Sequence, residues 1–218
     1  MNDAADTSLQ APTEQSWFFA EDLSPISDEL RAARDEAVLA GLHPISPGAS
    51  ATLTALAKAI GARTVVEVGT AYGTSALSLL AGMTSDGVLT SIDPEAENQL
   101  PARGFLSRAG YPSSRCRLIA GHPLEVLPKL RDAAYDIVFV NGNKLEYVEY
   151  VASAARLLRS GGSLLVHDVL WHNSVADPQR EDDETIIIRE ALDAVKAADC
   201  YTTTLLPVGN GLLLAVKD

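Results

Sequence analysis

The 218-residue chain reads as an α/β protein built on a doubly wound, Rossmann-like sheet, and three observations predict it. From residue 64 onward, short branched apolar runs alternate with helical patterns. A glycine-containing bend closes the first strand–helix junction, and the chain ends in two apolar segments around Gly209-Asn210-Gly211. Strand-then-helix alternation means parallel strands joined by crossover helices, whereas the terminal hairpin puts an antiparallel strand into the same sheet.

At roughly 150 residues per domain the length predicts one domain. Apolar residues make up 47% of the chain and charged residues 21%, enough to bury a core and to exclude wholesale disorder. Seventeen Lys and Arg against 29 Asp and Glu leave a net charge of −12, which repels phosphate backbones and anionic lipid. Nucleic acid and membrane surfaces are therefore disfavoured as partners. The start, MNDAADTSLQAPTEQ, lacks the basic and apolar regions of a secretory signal, and no run of about 18 apolar residues occurs, so a cytoplasmic location is expected. Two cysteines, Cys116 and Cys200, are too few for a disulfide framework and read as core packing.

Residues 1–16 are polar and aperiodic and are expected to form a disordered tail, leaving 17–218 as the domain: helices over 17–60, then a Rossmann-like core over 62–218. Trp17, Phe18 and Phe19 read best as an anchor on the domain body, with a substrate or subunit cover as the other reading. Ser27, Glu29 and LRAARDEAVLAGL predict a helix stopped near Gly41, and Pro47 to Ile60 a second one ended by Gly61. Strands are expected at Thr64–Val68, Val88–Ile92, Cys116–Ala120, Asp136–Val140 and Ser163–Val166, with helices at 74–83, 95–109, 123–131 and 144–159 between them. A polar stretch over His172–Glu184 has the composition of a lid or of a surface loop, and a last helix covers about 185–198.

In such sheets ligands bind beyond the carboxyl ends of the strands, so the chemistry is sought at Glu67-Val68-Gly69-Thr70-Ala71-Tyr72-Gly73-Thr74-Ser75. Gly69 and Gly73 permit close approach of a ligand, and the following helix presents free N–H groups. The pattern is E-x-G-x-x-x-G rather than the dinucleotide G-x-G-x-x-G. A carboxylate beside the bend favours a cationic ligand over a pyrophosphate, as the sulfonium of S-adenosylmethionine requires, and disfavours a nicotinamide dehydrogenase. Asp93, ending the second strand, stands where a carboxylate can take ribose hydroxyls.

These residues, with SIDPE, GHPLEVLPKL, FVNGNKLEY, GGSLLVHDVLW and TLLPVGNGLLLAVK, resemble the class I S-adenosylmethionine-dependent methyltransferases, specifically the cation-dependent catechol and caffeoyl-coenzyme A O-methyltransferase family, over about residues 42–218. The resemblance implies a seven-stranded sheet with an antiparallel last strand. It also implies that Glu67, Gly69, Thr70, Gly73 and Ser75 surround the methionine moiety, that Asp93 holds the ribose, that Gly121 and His122 lie near the adenine with Asn141 beside the cofactor, and that the protein is a homodimer.

One departure matters. The family places an Asp after the fourth strand and an Asp-Asn pair after the fifth, three oxygen ligands for Mg²⁺ or Ca²⁺. Here those positions are Asn141, His167 and Asp168, an amide, an imidazole and one carboxylate. Hard cations select charged oxygen ligands, so weak or no Mg²⁺ dependence is expected, while a softer divalent metal such as Mn²⁺, Fe²⁺ or Zn²⁺ stays open as a cofactor. Lys144 falls on the family's general-base position, and His167, oriented by Asp168, is expected to assist or replace it. Trp171 and Tyr147 are candidate walls for an aromatic acceptor, Tyr147 more as core. The expected activity is methyl transfer to a small hydroxylated acceptor, an aromatic one among the candidates; a cofactor-binding protein without catalysis and a tRNA methyltransferase are the alternatives.

Overall fold

The computed structural model describes residues 11–218. Residues 1–10 of the expected tail lie outside the described residues; from Glu14 the chain is already helical. Helix α1 spans Glu14–Asp22, with Thr13 accepting from the Ser16 N–H at its start. Helices α2 (Asp28–Leu39) and α3 (Pro47–Ala59) follow, capped by Ser27 and Ser46, and Pro47 sits at the first helical position, where its missing N–H costs nothing.

Seven strands form one sheet: β1 (Thr64–Val68), β2 (Val88–Asp93), β3 (Cys116–Ala120), β4 (Tyr135–Val140), β5 (Leu158–His167), β6 (Tyr201–Leu206) and β7 (Leu212–Lys217), in the order β3-β2-β1-β4-β5-β7-β6. β1 to β5 pair in parallel and β7 runs antiparallel to both β5 and β6, as the terminal hairpin predicts. The crossovers are α4 (Thr74–Gly82), α5 (Ala96–Arg108), α6 (Pro123–Val126) and α7 (Tyr147–Leu157), and α8 (Asp183–Ala197) precedes the hairpin.

Two differences from the expected elements have local causes. The helix expected over 123–131 stops after one turn and continues as a 3-10 turn, because Pro128 has no N–H to donate back along an α-helix. The helix expected to reach 159 ends at Leu157, since β5 begins five residues early: Leu158 pairs with Tyr135, and the register resumes at Ser163 and Ile137 after a bulge in which Gly161 has φ +74°.

Alternation along the strands sorts the core into two layers. Val65, Leu89, Ile137, Phe139 and Leu165 face α3, α4 and α5, while Val66, Val68, Val138, Val140 and Leu164 face α7 and α8. Glu67 has the parity of Val65 and so points toward α4. Helices α3 and α4 meet almost backbone to backbone, because a Cβ on Gly82 would lie 2.2 Å from the Thr54 carbonyl oxygen. Cys116 is buried in this layer and Cys200 is half-buried. Trp17 and Glu21 form the inward face of α1, whereas Phe18 and Phe19 are 52% and 72% exposed, so the aromatic segment is an anchor only through Trp17. No helix among the described residues is long and apolar enough to cross a membrane.

The contact at Gly82 yields a prediction in which two effects oppose. Alanine is the better helix former by about 1 kcal/mol, but forcing a methyl into a closed interface costs roughly 1–3 kcal/mol. Gly82→Ala is therefore expected to be destabilising in urea unfolding; a gain in stability would show that α3 can move off α4 freely.

Candidate active site

Backbone pairing carries the ends of β1, β2 and β4 past the strands and fixes their loops: the N–H of Gly69 donates to Ile92, that of Asn141 to Val68 and that of Gly121 to Asp93. Gly69 has φ +94°, and a Cβ there would lie 2.4 Å from the carbonyl oxygen of Asn141, so the first and fourth loops touch at a point only glycine allows. Gly73, at φ +83°, starts α4, and no side chain caps the first amides of that helix. A cleft of about 230 Å³ opens here, lined by Gly69, Asp93, His122, Asn141 and Glu146 among others. Asp93 is held in place by the N–H groups of Thr70 (2.8 Å), Ala71 (2.9 Å) and Glu95 (2.9 Å). Glu146 accepts from the Tyr150 hydroxyl and lies 3.2 Å from His122 Nε2.

Glu67 is elsewhere. It is fully buried behind the bend, with Ser75 and Ser91 donating to its two oxygens, and Ser91 in turn bonds Thr70, which accepts from Gln99. Burial pushes the Glu67 carboxyl up to about 7, against the two serine hydrogen bonds that lower it. The anionic side of the cleft is thus made by Asp93 and Glu146, not by Glu67, which ties the bend to α4 and β2. Thr70, Ser75 and Gly121 also lie behind the lining.

At the ends of β4 and β5 the side chains are bonded to one another. Asn141 Oδ1 is 3.0 Å from His167 Nδ1, so Nδ1 carries the proton of a neutral ring. Burial pulls His167 down to about 4. Its Nε2 is buried with no partner among the described residues and lies beneath Gly209, where a Cβ would be 3.5 Å away. Asp168 does not orient His167: it pairs with Lys144 Nζ at 3.1 Å and accepts from Asn210 at 2.5 Å. Burial lowers Lys144 from its usual value while Asp168 raises it, and Lys144 sits 5.0 Å and 5.6 Å over the rings of Tyr147 and Trp171. Tyr147 is core, fully buried with its hydroxyl donating to the His167 carbonyl.

His167, Asp168 and Trp171 border a second cavity of about 800 Å³, whose other walls include Trp17, His43, His172 and Asn210. Asn141 faces the first cleft and His167 the second, so their hydrogen bond lies at the boundary between them. The loop after β5 has left-handed backbone at Trp171, His172 and Asn173 and is pinned by Arg189, which donates to the carbonyls of Ser174, Val175 and Arg180.

A hard divalent ion does not fit here. The only carboxylate at the family's three ligand positions is neutralised by Lys144, the amide oxygen is taken by His167, and the imidazole presents Nδ1 as a donor. Among the described residues no group of three or more His, Cys, Asp or Glu side chains is arranged to hold a metal. Sequence reasoning missed Glu146, Asn210, Gln99 and Glu21, polar residues whose partners lie in other elements.

A sheet of this order with its cleft at the ends of β1, β2 and β4 is that of the class I S-adenosylmethionine-dependent methyltransferases. Within that class the chain belongs to the O-methyltransferase family, whose model matches residues 19–218. It is 42% identical over 207 residues to "Probable O-methyltransferase Rv1220c" of Mycobacterium tuberculosis, covering 94% of this chain and 92% of that one. Among solved structures, a Corynebacterium glutamicum protein superposes with a TM-score of 0.84 at 30% identity, covering 91% of this chain and 94% of that one. The O-methyltransferase TomG of Streptomyces achromogenes, involved in tomaymycin synthesis and solved in complex with S-adenosylmethionine, does so at 0.84 and 26% identity, covering 95% and 99%. The protein is an S-adenosylmethionine-dependent O-methyltransferase.

The buried Glu67 makes stability depend on pH. Unfolded, its carboxyl ionises near its ordinary 4.5; folded, near 7, so between these values ionisation favours the unfolded chain. Relative to Glu67→Gln, the wild type is expected to gain about 2–3 kcal/mol in unfolding free energy as pH falls from 8 to 5. Parallel pH profiles for the two proteins would contradict this.

Proposed function

We propose that this O-methyltransferase methylates a single hydroxyl of a small aromatic acceptor without a divalent metal, with Lys144 as the base. The observation that carries the reading is the Lys144–Asp168 pair beside a cavity walled by Trp17 and Trp171, next to an imidazole with no accessible nitrogen to offer. That volume is in the range of small-molecule sites, and indole rings suit a planar acceptor.

In the cleft, Asp93 is the group for the ribose hydroxyls, Gly69 is assigned to the methionine end and His122 to the adenine end. Asp93 and Glu146 supply the negative charge that suits a sulfonium. Bound there, S-adenosylmethionine supplies a methyl group that an oxygen lone pair can displace. The remaining tasks belong to the chain.

A phenol ordinarily ionises near 10; burial lowers Lys144 from its usual 10.5, so the ammonium paired with Asp168 releases its proton to solvent more readily, and the neutral amine then accepts the proton of the acceptor oxygen. The ammonium formed is held by Asp168. His167 takes no proton; it donates to Asn141 and braces the boundary between the two cavities. With one lysine in place of an ion that grips two oxygens, a second vicinal hydroxyl is not required. The exposed Phe18, Phe19 and Leu23 of α1 and the loop after it favour a homodimer.

Lys144→Ala is expected to cut kcat by about 10²–10⁴-fold, and Lys144→Arg not to restore it, because a guanidinium cannot take the proton. A fully active arginine variant would assign the base elsewhere. Asp168 raises Lys144, so Asp168→Asn should move the acidic limb of the kcat/KM profile to lower pH. Turnover should survive chelator and gain nothing from Mg²⁺; loss with chelator and recovery on Mg²⁺ alone would overturn the metal-free reading.

A further inference from the structure

Glu21 has no part in the cleft chemistry, yet it is a carboxylate only 4% exposed that joins three distant segments. Its Oε2 accepts from the N–H of Gly48 at 2.7 Å, in the first turn of α3, and its Oε1 accepts from the N–H of Gly209 at 2.6 Å, in the turn between β6 and β7, 188 residues away. A carboxylate suits a helix N-terminus, where amides are free and the dipole is positive. Both donors accommodate it sterically: a Cβ on Gly48 would lie 2.7 Å from Oε2, and Gly209 takes a left-handed φ of +58°.

Trp17 lies four residues before Glu21, one helical turn away on the same face of α1, and it lines the larger cavity. Gly209 lines that cavity too and covers His167 Nε2. One carboxylate therefore sets both the helix that carries a wall of the cavity and the turn that seals its floor. α1 is short and its outer side is exposed, so apart from Trp17 itself little else among its own residues fixes its place.

We infer that Glu21 is a positioning residue for the methyl acceptor: it fixes α1 so that Trp17 forms one wall of the cavity beside Lys144 and Asp168. The inference rests on reading that cavity as the acceptor site. Cofactor binding should be indifferent to it, because neither Glu21 nor Trp17 lines the cleft holding Asp93.

The chain has two tryptophans, so a Trp171→Phe background leaves Trp17 as the sole indole reporter. In that background Glu21→Gln, which puts an amide donor against a backbone donor, is expected to red-shift Trp17 emission and raise its quenching by acrylamide, with Glu21→Asp intermediate, while calorimetric affinity for S-adenosylhomocysteine stays unchanged. In the otherwise native chain, Glu21→Gln and Trp17→Ala should each raise KM for the best-turned-over member of a panel of monohydroxylated aromatics by roughly three- to tenfold, and the double variant no further. Unchanged quenching in both Glu21 variants, or a parallel loss of S-adenosylhomocysteine affinity, overturns the inference. A raised quenching with no change in KM for Trp17→Ala, or no turnover of any panel member by the wild type, overturns instead the acceptor reading of the cavity.

Discussion

The site depends on how charge is balanced at the ends of β4 and β5. Asp168 is the one carboxylate among the three positions that bind a divalent ion in the family the sequence resembles, and Lys144 neutralises it at 3.1 Å. Asn141 and His167, which flank the same space, bond each other directly at 3.0 Å. An entering divalent cation would have to displace an ammonium, break an amide–imidazole bond and gain a single charged ligand, a poor exchange for an ion that gives up tightly bound water. The same charge balance places Lys144 and Asp168 beside the larger cavity, and in the proposed function the group that stands in an ion's place is the base.

The rest of the fold holds this balance in place. Gly69 lets the first loop rest on the Asn141 carbonyl, the Glu67–Ser75–Ser91 cluster locks the bend to α4 and β2, and Asn210 of the terminal hairpin reaches back to Asp168. The antiparallel β7 is what brings Asn210 and Gly209 to the site, because it carries the turn back along β5 to the residues beside His167.

Much of this was legible in the sequence, and for reasons that mark where legibility ends. Strands and crossovers announced themselves through branched apolar runs at the expected intervals, and the hairpin through Gly209-Asn210-Gly211. Asp93 and Gly69 line the cleft because they sit at strand ends, where position in the chain nearly determines position in space. Glu67 was correctly placed on β1, but its side chain points into the layer shared with α4 rather than into the cleft; alternation gives the two faces of a strand, not which one a ligand meets. The partners of Asp168 and His167 were misread for a similar reason: neighbours in sequence at a strand end face different ways, and Asp168, with φ +68°, turns away from the ring beside it. α1 and Glu21 escaped notice because a nine-residue helix with a mostly exposed surface has little periodicity, and a contact across 188 residues leaves no local trace.

Asn141, His167 and Asp168 at the ends of β4 and β5 are paired within the chain, which leaves a divalent ion no ready set of ligands. Electron paramagnetic resonance of Mn²⁺ titrated into the protein saturated with S-adenosylhomocysteine tests it most directly. The account predicts the spectrum of free, hydrated Mn²⁺ from the first equivalent onward; one equivalent of tightly bound Mn²⁺, released by Asp168→Ala, would contradict it.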